Sequence, residues 1–475
     1  VKKSKKPKEE LSRIPTTSFE RGFRILGAAF AGSSSYVSNW FSSALSKEES
    51  TSGLISTVQP IVNEMSRLKG TVQKLGQMIS VLGEHNLPKE VVNLFQPLLN
   101  QSMILNWTEI RAQLVKEFGE QKLSELEVDT VPVGAASIGQ VHRAVIKKTG
   151  EVLALKIQYP GVSDTIDSDL ATINAIFTLA RLKKGLPELK GVVKEVNEMM
   201  KREVDYCQEH KMINLFENAL SKKEGYIIPS VFPKWSTSKV LAMSFESGET
   251  LTDAMIQTLD QSEKNLLCTN FLKLFFFELF GLGIVQSDPH FGNYLYRKSN
   301  LGSPSLVLLD FGSVRVFSKA FVENYKRMAK AALHQDMDVF LDRAQKLGLR
   351  INADSMGTEL WDLAKVVITP FLDPKLTNIP QVDADLFNTQ GYFKWANSSL
   401  GQRVSNLAWQ KRFDFGLSSI PRELVFLDRK LAGIHSFLQK FSAEIDCRQL
   451  LLEALSQPTD FTLRDELMNA GSKGH

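Results

Sequence analysis

Three short stretches carry residue types suited to chemistry on phosphates, and a fourth supplies carboxylates to go with them. Lys156 lies in VLALKIQ, an alternating segment that reads as a strand. An ammonium on such a strand can reach the α and β phosphates of a nucleotide. Asp288 and Asn293 stand in SDPHFGN, with four residues between them. At that spacing a carboxylate can orient an acceptor hydroxyl while the amide oxygen binds a metal. Asp310 closes the apolar run LVLLD and is followed by Phe311 and Gly312, seventeen residues beyond Asn293. A carboxylate at a strand end beside a glycine is well placed to reach magnesium. Lys156 needs an acidic partner, and REVDYCQEH offers Glu203, Asp205 and Glu209. The residues alone leave all three open. Phosphoryl transfer is mostly positioning and charge stabilisation, so ATP and Mg2+ are the expected cofactors, with Asn293 and Asp310 as metal ligands.

The elements that must hold these residues follow from pattern. Residues 1–57 are rich in Lys, Ser and Gly and read as a basic and apolar lead-in. Its apolar part, 22–46, is broken by serines and Asn39, so it suits a membrane surface better than a span. Residues 58–130 have helical periodicity, with Asn106 as a cap before WTEI. From 131 the texture turns to strands: QVHRAV and VLALKI alternate around a KKTGE turn, preceded by the small-residue stretch PVGAASIG with Ala135, Ala136 and Ser137. Helical pattern returns over 164–220, then short strands at IIPSVF and KVLAMSF. FLKLFFFELFGLGIV at 271–285 reads as a buried core helix, since Lys273 and Glu278 interrupt it. NYLYR and SLVLLDFG form a hairpin, and 318–475 reads as helices joined by polar loops. The order predicts an α+β, bilobal fold: a helical extension (58–130), a small β-rich lobe (131–248), a large helical lobe (249–400) and a C-terminal helical region (401–475).

Composition narrows the function classes. The 475 residues are 43% hydrophobic and 23% charged, as in globular proteins. A net charge of +4 is too weak to argue for nucleic acid. The three cysteines, Cys207, Cys268 and Cys447, have neither disulfide-framework nor zinc-site spacing. No secretory signal is read, which fits the cytoplasmic face of a bacterial inner membrane or a processed chain at the mitochondrial inner membrane.

Taken together, the motifs resemble the UbiB family of atypical, protein-kinase-like kinases and ATPases linked to ubiquinone biosynthesis. KLGQ at Lys74–Gln77 resembles its KxGQ signature, GAASIGQVHRA its alanine-rich loop, and EVDY at 203–206 its ExD motif. SDPHFGN resembles its catalytic loop, and DFGS follows. The likeness runs over about 60–330, with a weaker helical continuation. It implies a kinase-like fold with the KxGQ helix over the active site, blocking peptides. Lys74 and Gln77 would then belong to the site, Lys74 meeting Glu203 and Asp205, which leaves Glu209 for Lys156. Ala135, Ala136 and Ser137 would replace the glycine-rich phosphate loop; alanine restricts positive φ, so nucleotide handling should differ. SFESG at 244–248 would be the adenine hinge. The family implies peripheral membrane contact, a lipid or isoprenoid-quinone precursor as partner, and a homodimer or a biosynthetic complex. Two departures stand out: Gln286 replaces the histidine that supports the catalytic loop, which would loosen the loop, and Phe291 replaces a proline. His290 is expected to pack within the loop. Two other readings are a small-molecule kinase of the aminoglycoside or choline type and a nucleotide-binding pseudokinase scaffold.

Overall fold

The computed structural model describes residues 10–11, 104–136, 138–167, 170–171, 188–288, 290–298, 304–351, 354–375, 384–400, 421–462 and 464–466. Almost all of the lead-in, most of the helical extension including Lys74 and Gln77, and Ser137 lie outside the described residues. The strands used below are β1 (Leu126–Val128), β2 (Gly134–Ala135), β3 (Gly139–Ile146), β4 (Val152–Gln158), β5 (Tyr226–Ile227), β6 (Val240–Ser244), β7 (Glu249–Thr250), β8 (Ile284–Gln286), β9 (Tyr294–Arg297), β10 (Ser305–Leu308) and β11 (Val314–Val316). The helices are α1 (Trp107–Phe118), α2 (Glu188–Glu203), α3 (Tyr206–Leu220), α4 (Gln261–Phe276), α5 (Lys319–Leu333), α6 (Met337–Lys346), α7 (Asp354–Ile368), α8 (Arg422–Lys440) and α9 (Cys447–Ser456).

The chain divides into two compact units. One comprises residues 1–210 and 230–245, the other 211–229 and 246–475. The first is built on an antiparallel sheet in the order β1-β3-β4-β6, with β2 also paired to β3. Alternation decides its faces. Leu153, Leu155 and Ile157 of β4 are buried, while Ala154 and Lys156 point to the other side. Gly139 opens β3 where a side chain cannot fit: a Cβ there would fall on the Ile157 carbonyl oxygen. Two buried polar residues of this unit, Gln140 and His142, are joined in one hydrogen-bonded chain. Gln140 takes a hydrogen bond from Leu105 N at 2.9 Å and lies 2.9 Å from His142 Nε2, while His142 Nδ1 lies 2.7 Å from Asp129 O. That pattern suits a neutral imidazole donating from Nδ1, and burial indeed lowers the His142 pKa despite the nearby Asp129 carbonyl and carboxylate. Asn106 caps α1, its Oδ1 accepting from Glu109 N at 3.1 Å.

The second unit is mostly helical. A four-stranded sheet in the order β5-β10-β9-β7 carries the β9–β10 hairpin, and β8 pairs antiparallel with β11. The reading of 271–285 as one helix needs correction. The helix ends at Phe276, a π turn spans Phe277–Leu282, and the run finishes as β8. Gly283, at φ 65°, makes that break possible, because a left-handed residue stops the helix. By length and composition Gln261–Leu282 could cross a membrane, yet 67% of its apolar window is buried in the protein itself. The IIPSVF strand also divides. Tyr226–Ile227 pairs in parallel with β10, whereas Val231 bridges Met243 of β6 in the first unit. Helices α8 and α9, from the C-terminal region, belong to the second unit and pack on α4.

Candidate nucleotide and metal site

Within the first unit, Lys156 projects from β4 on the face opposite the core, and its Nζ lies 2.6 Å from Glu209 Oε1. The side chains are 13% and 1% exposed, so the pair is largely desolvated. Its position on α3 has a local cause: Asp205 Oδ1 accepts from Gln208 N at 2.9 Å and starts the helix, which puts Glu209 in the first turn. The Tyr206 ring centroid, 5.4 Å from the same ammonium, adds a cation–π contact. Of the three acids that the residues left open, Glu209 is the one paired with Lys156. Asp205 is exposed and acts as the cap, and Glu203 is the last residue of α2. In the alanine-rich loop, Gly134 and Ala135 pair with Val141 and Gln140, and Ala136 N donates to Gly139 O at 2.8 Å. The loop is therefore a tight hairpin turn at the start of β3.

Within the second unit, the catalytic-loop and DFG segments are brought together by β8 and β11. Gln286 pairs with Val314, and Ser287 donates to Ser313 O from both N (2.9 Å) and Oγ (2.7 Å). The β9–β10 hairpin does the same for the metal candidates. Tyr294 pairs with Leu308, and Leu309 N donates to Asn293 O at 3.0 Å, so Asn293 and Asp310 share one end of the hairpin. Asn293 Nδ2 donates to Asp288 O at 3.0 Å and approaches Asp288 Oδ2 at 3.4 Å. The amide nitrogen is thus engaged and the Oδ1 atom remains to meet a cation. Asp310 Oδ1 accepts from Gly312 N at 3.1 Å, which fixes the carboxylate direction. Phe311 is buried against Phe216 of α3, ring centroids 5.1 Å apart. An amide oxygen and a carboxylate are hard donors and fit magnesium.

Sequence reasoning missed Arg429. From α8 its Nη2 lies 3.2 Å from Asp288 Oδ1, with side-chain exposures of 11% and 19%. The guanidinium orients the carboxylate and offsets its charge. Phe291 also meets α8: its ring stacks on Phe437 at 5.3 Å and 5°, and Lys440 Nζ lies 4.5 Å over it. His290 is exposed and uses Nδ1 to accept from Gly292 N at 3.0 Å. Gln286 is buried, and its amide atoms have no hydrogen-bond partner among the described residues. In the hinge stretch, Glu246 pairs with Arg297 at 2.7 Å, and Arg297 Nε donates to Ser247 O at 2.7 Å. A signal for the α8 residues did exist. Leu427, Lys430, Ile434, Phe437 and Leu438 form one buried stripe, and a lysine on an apolar stripe needs a partner.

Comparison with known proteins bears on the family and the fold. Residues 97–343 match the ABC1 atypical kinase-like domain, just over half of the chain. The atypical kinase coq-8, mitochondrial, of Caenorhabditis elegans is 28% identical over 396 residues, covering 83% of this chain and 50% of that protein. The atypical kinase COQ8, mitochondrial, of Saccharomyces cerevisiae is 28% identical over 404 residues, 84% of this chain and 76% of that one. The Rattus norvegicus atypical kinase COQ8B, mitochondrial, is 29% identical over 396 residues, with 82% and 70% covered. The chain thus spans half to about three quarters of the length of these relatives. A Mycobacterium tuberculosis protein solved with erythromycin superimposes with a TM-score of 0.55 at 22% identity, covering 82% of this chain and 94% of that one, a likeness of fold. A kinase-like α+β fold, the ordered motifs and the extent of the domain match lead to one conclusion: the chain belongs to the ABC1, or UbiB, family of atypical kinases.

Proposed function

We propose that this protein binds Mg-ATP and acts as an atypical kinase or ATPase that supports the metabolism of ubiquinone or a related isoprenoid lipid at a membrane. The observation that carries the reading is the 2.6 Å Lys156–Glu209 pair, a buried ammonium held on a strand where it can meet phosphates. The hairpin end shared by Asn293 and Asp310 supports it. In this reading Lys156 binds the α and β phosphates, and Glu209 holds its ammonium in place. Asn293 and Asp310 hold magnesium, which when bound offsets the phosphate charge. Asp288, oriented by Arg429, positions the attacking hydroxyl or water. A loose transition state needs orientation of the nucleophile more than its deprotonation. Lys74 and Gln77 would close the site to peptides, as the family resemblance implies. The relatives named as mitochondrial favour the organellar expectation; peripheral attachment to a membrane is proposed from the family resemblance.

The test is nucleotide titration followed by a hydrolysis assay. Wild-type protein should bind Mg-ATP and hydrolyse it slowly, faster with anionic liposomes. Asp310→Asn should lose the magnesium-dependent part of the affinity. Equal binding by Asp310→Asn in magnesium would overturn the site assignment.

A further inference from the structure

The catalytic loop, residues 287–293, hangs between β8 and β9, and one buried charge pair stands behind both attachment points. Glu278 lies on the π turn and is wholly buried. The π turn packs against β8, whose last residue, Gln286, leads into the loop. Lys430, 1% exposed, places its Nζ 3.5 Å from Glu278 Oε2 and 3.5 Å from Tyr294 Oη, the residue that leaves the loop. Lys430 also sits 5.7 Å from the Phe271 ring centroid, and Phe271 packs edge-on against Tyr294 at 5.1 Å. A π turn is an irregularity that recurs at functional sites, and here it aims Glu278 at the loop.

The geometry is unusual for a stabilising ion pair. Both groups are out of water, the separation is 3.5 Å, and neither Glu278 oxygen has a close hydrogen bond among the described residues. Burying two charges this loosely rarely adds stability, because desolvation outweighs the attraction. Apolar residues of similar volume would pack there at least as well. The neighbouring Gln286 side-chain amide has no partner among the described residues either, so it does not provide the support that a histidine at 286 would give.

We infer that Lys430 is a positioning residue: from α8, outside the segment matched to the kinase-like domain, it ties the two ends of the catalytic loop together through Glu278 and Tyr294. The inference rests on the proposed phosphoryl-transfer site but concerns the loop's geometry, which can be read without turnover. The tie is ionic only while Glu278 is charged. Burial pushes the Glu278 carboxyl up to about 7, with Lys430 and the Gln286 amide opposing it. Burial pushes the Lys430 ammonium down, yet Glu278 and Tyr294 leave it above its usual value. The titratable groups that interact with Glu278 are Lys430 on α8, Tyr294 on β9 and Tyr226 on β5. Protonation of Glu278 as pH falls through about 7 therefore removes the negative half of the tie.

The experiment uses the full chain and four forms: wild type, Lys430→Met, Glu278→Gln and the double variant. Hydrogen–deuterium exchange of the 286–294 peptide reads the loop directly, and ATP hydrolysis and Mg-ATP binding read its use. Lys430→Met should speed exchange of that peptide and lower kcat about tenfold, with Mg-ATP affinity held within about twofold. The double variant, free of buried charge, should regain the wild-type urea midpoint yet keep the fast exchange and low kcat. The wild-type pH–rate profile should show an acid limb near 7 that Glu278→Gln lacks. A double variant with wild-type loop protection, or a Lys430→Met protein whose loop exchanges as slowly as wild type, would overturn the inference. If wild type hydrolyses no ATP, the proposed function fails while the exchange data still decide the tie.

Discussion

Removing the carboxylate from the Lys156–Glu209 pair should be the most costly single change in the first unit, and the reason is local. Glu209→Ala removes the carboxylate 2.6 Å from Lys156, whose side chain is 13% exposed. Stranding one member of a buried pair costs about 3–5 kcal/mol, and the residual exposure of Lys156 places this site at about 3. Removing both charges together should behave differently. Lys156→Met with Glu209→Leu fills the same space with apolar side chains, and such a replacement is often neutral within about 1 kcal/mol. A double-mutant cycle in urea should therefore show a coupling of about 2–3 kcal/mol between the two positions. The double variant should be nearly as stable as wild type, yet it should bind no Mg-ATP, because the phosphates have lost their ammonium. If the effects on stability add to within about 0.5 kcal/mol, the pair is not coupled and the reasoning from burial is wrong. If the stable double variant binds Mg-ATP as wild type does, Lys156 does not meet the phosphates.

Three further outcomes follow from particular contacts. Arg429→Met should lower ATP turnover by about one to two orders of magnitude and change Mg-ATP affinity much less, because the carboxylate it orients is Asp288, which positions the nucleophile in the proposed function; steady-state kinetics with a separate binding titration checks this. Gly139→Ala should destabilise the first unit by about 2–3 kcal/mol, since the added methyl meets the Ile157 carbonyl oxygen rather than a movable side chain; urea unfolding reads the loss. His142 has a folded-state pKa held below its unfolded value by burial, so the unfolded chain takes up the proton first. Its contribution to stability is intact above about 6.5 and falls away as pH drops below that value, and His142→Gln should flatten this limb in a series of urea midpoints.

Much of the placement of the candidate residues was legible because it is set locally. VLALKIQ alternates, so Lys156 had to face away from Leu153, Leu155 and Ile157. LVLLDFG and NYLYR read as a hairpin, and the register does bring Asn293 and Asp310 to one end. The choice among Glu203, Asp205 and Glu209 was not legible from residue type, since all three are carboxylates within one turn or two. It turns on where α2 stops and α3 starts, and Asp205 decides that by capping α3. The apolar run at 271–285 misled for a related reason. Helix, π turn and buried strand are all apolar here, so hydrophobicity cannot mark the boundaries; Gly283 does.

The C-terminal contribution was invisible for a different cause. Arg429 is 141 positions from Asp288, and no motif spans such a distance. What the sequence did hold was a contradiction, a lysine at position 430 inside the stripe of Leu427, Ile434, Phe437 and Leu438. An amphipathic helix puts lysine on its wet face unless something in the core requires the charge. Consecutive residues on a helix point about 100° apart, so one helix can send Arg429 to the loop's carboxylate and Lys430 beneath the loop. Phe437 and Lys440, further along the same helix, meet Phe291 from the loop's tip. A catalytic loop whose own supporting residue, Gln286, has no partner among the described residues is therefore held from outside. The helix that contacts it lies beyond the segment matched to the kinase-like domain, so the proposed function gives α8 a positioning role rather than that of an appendage.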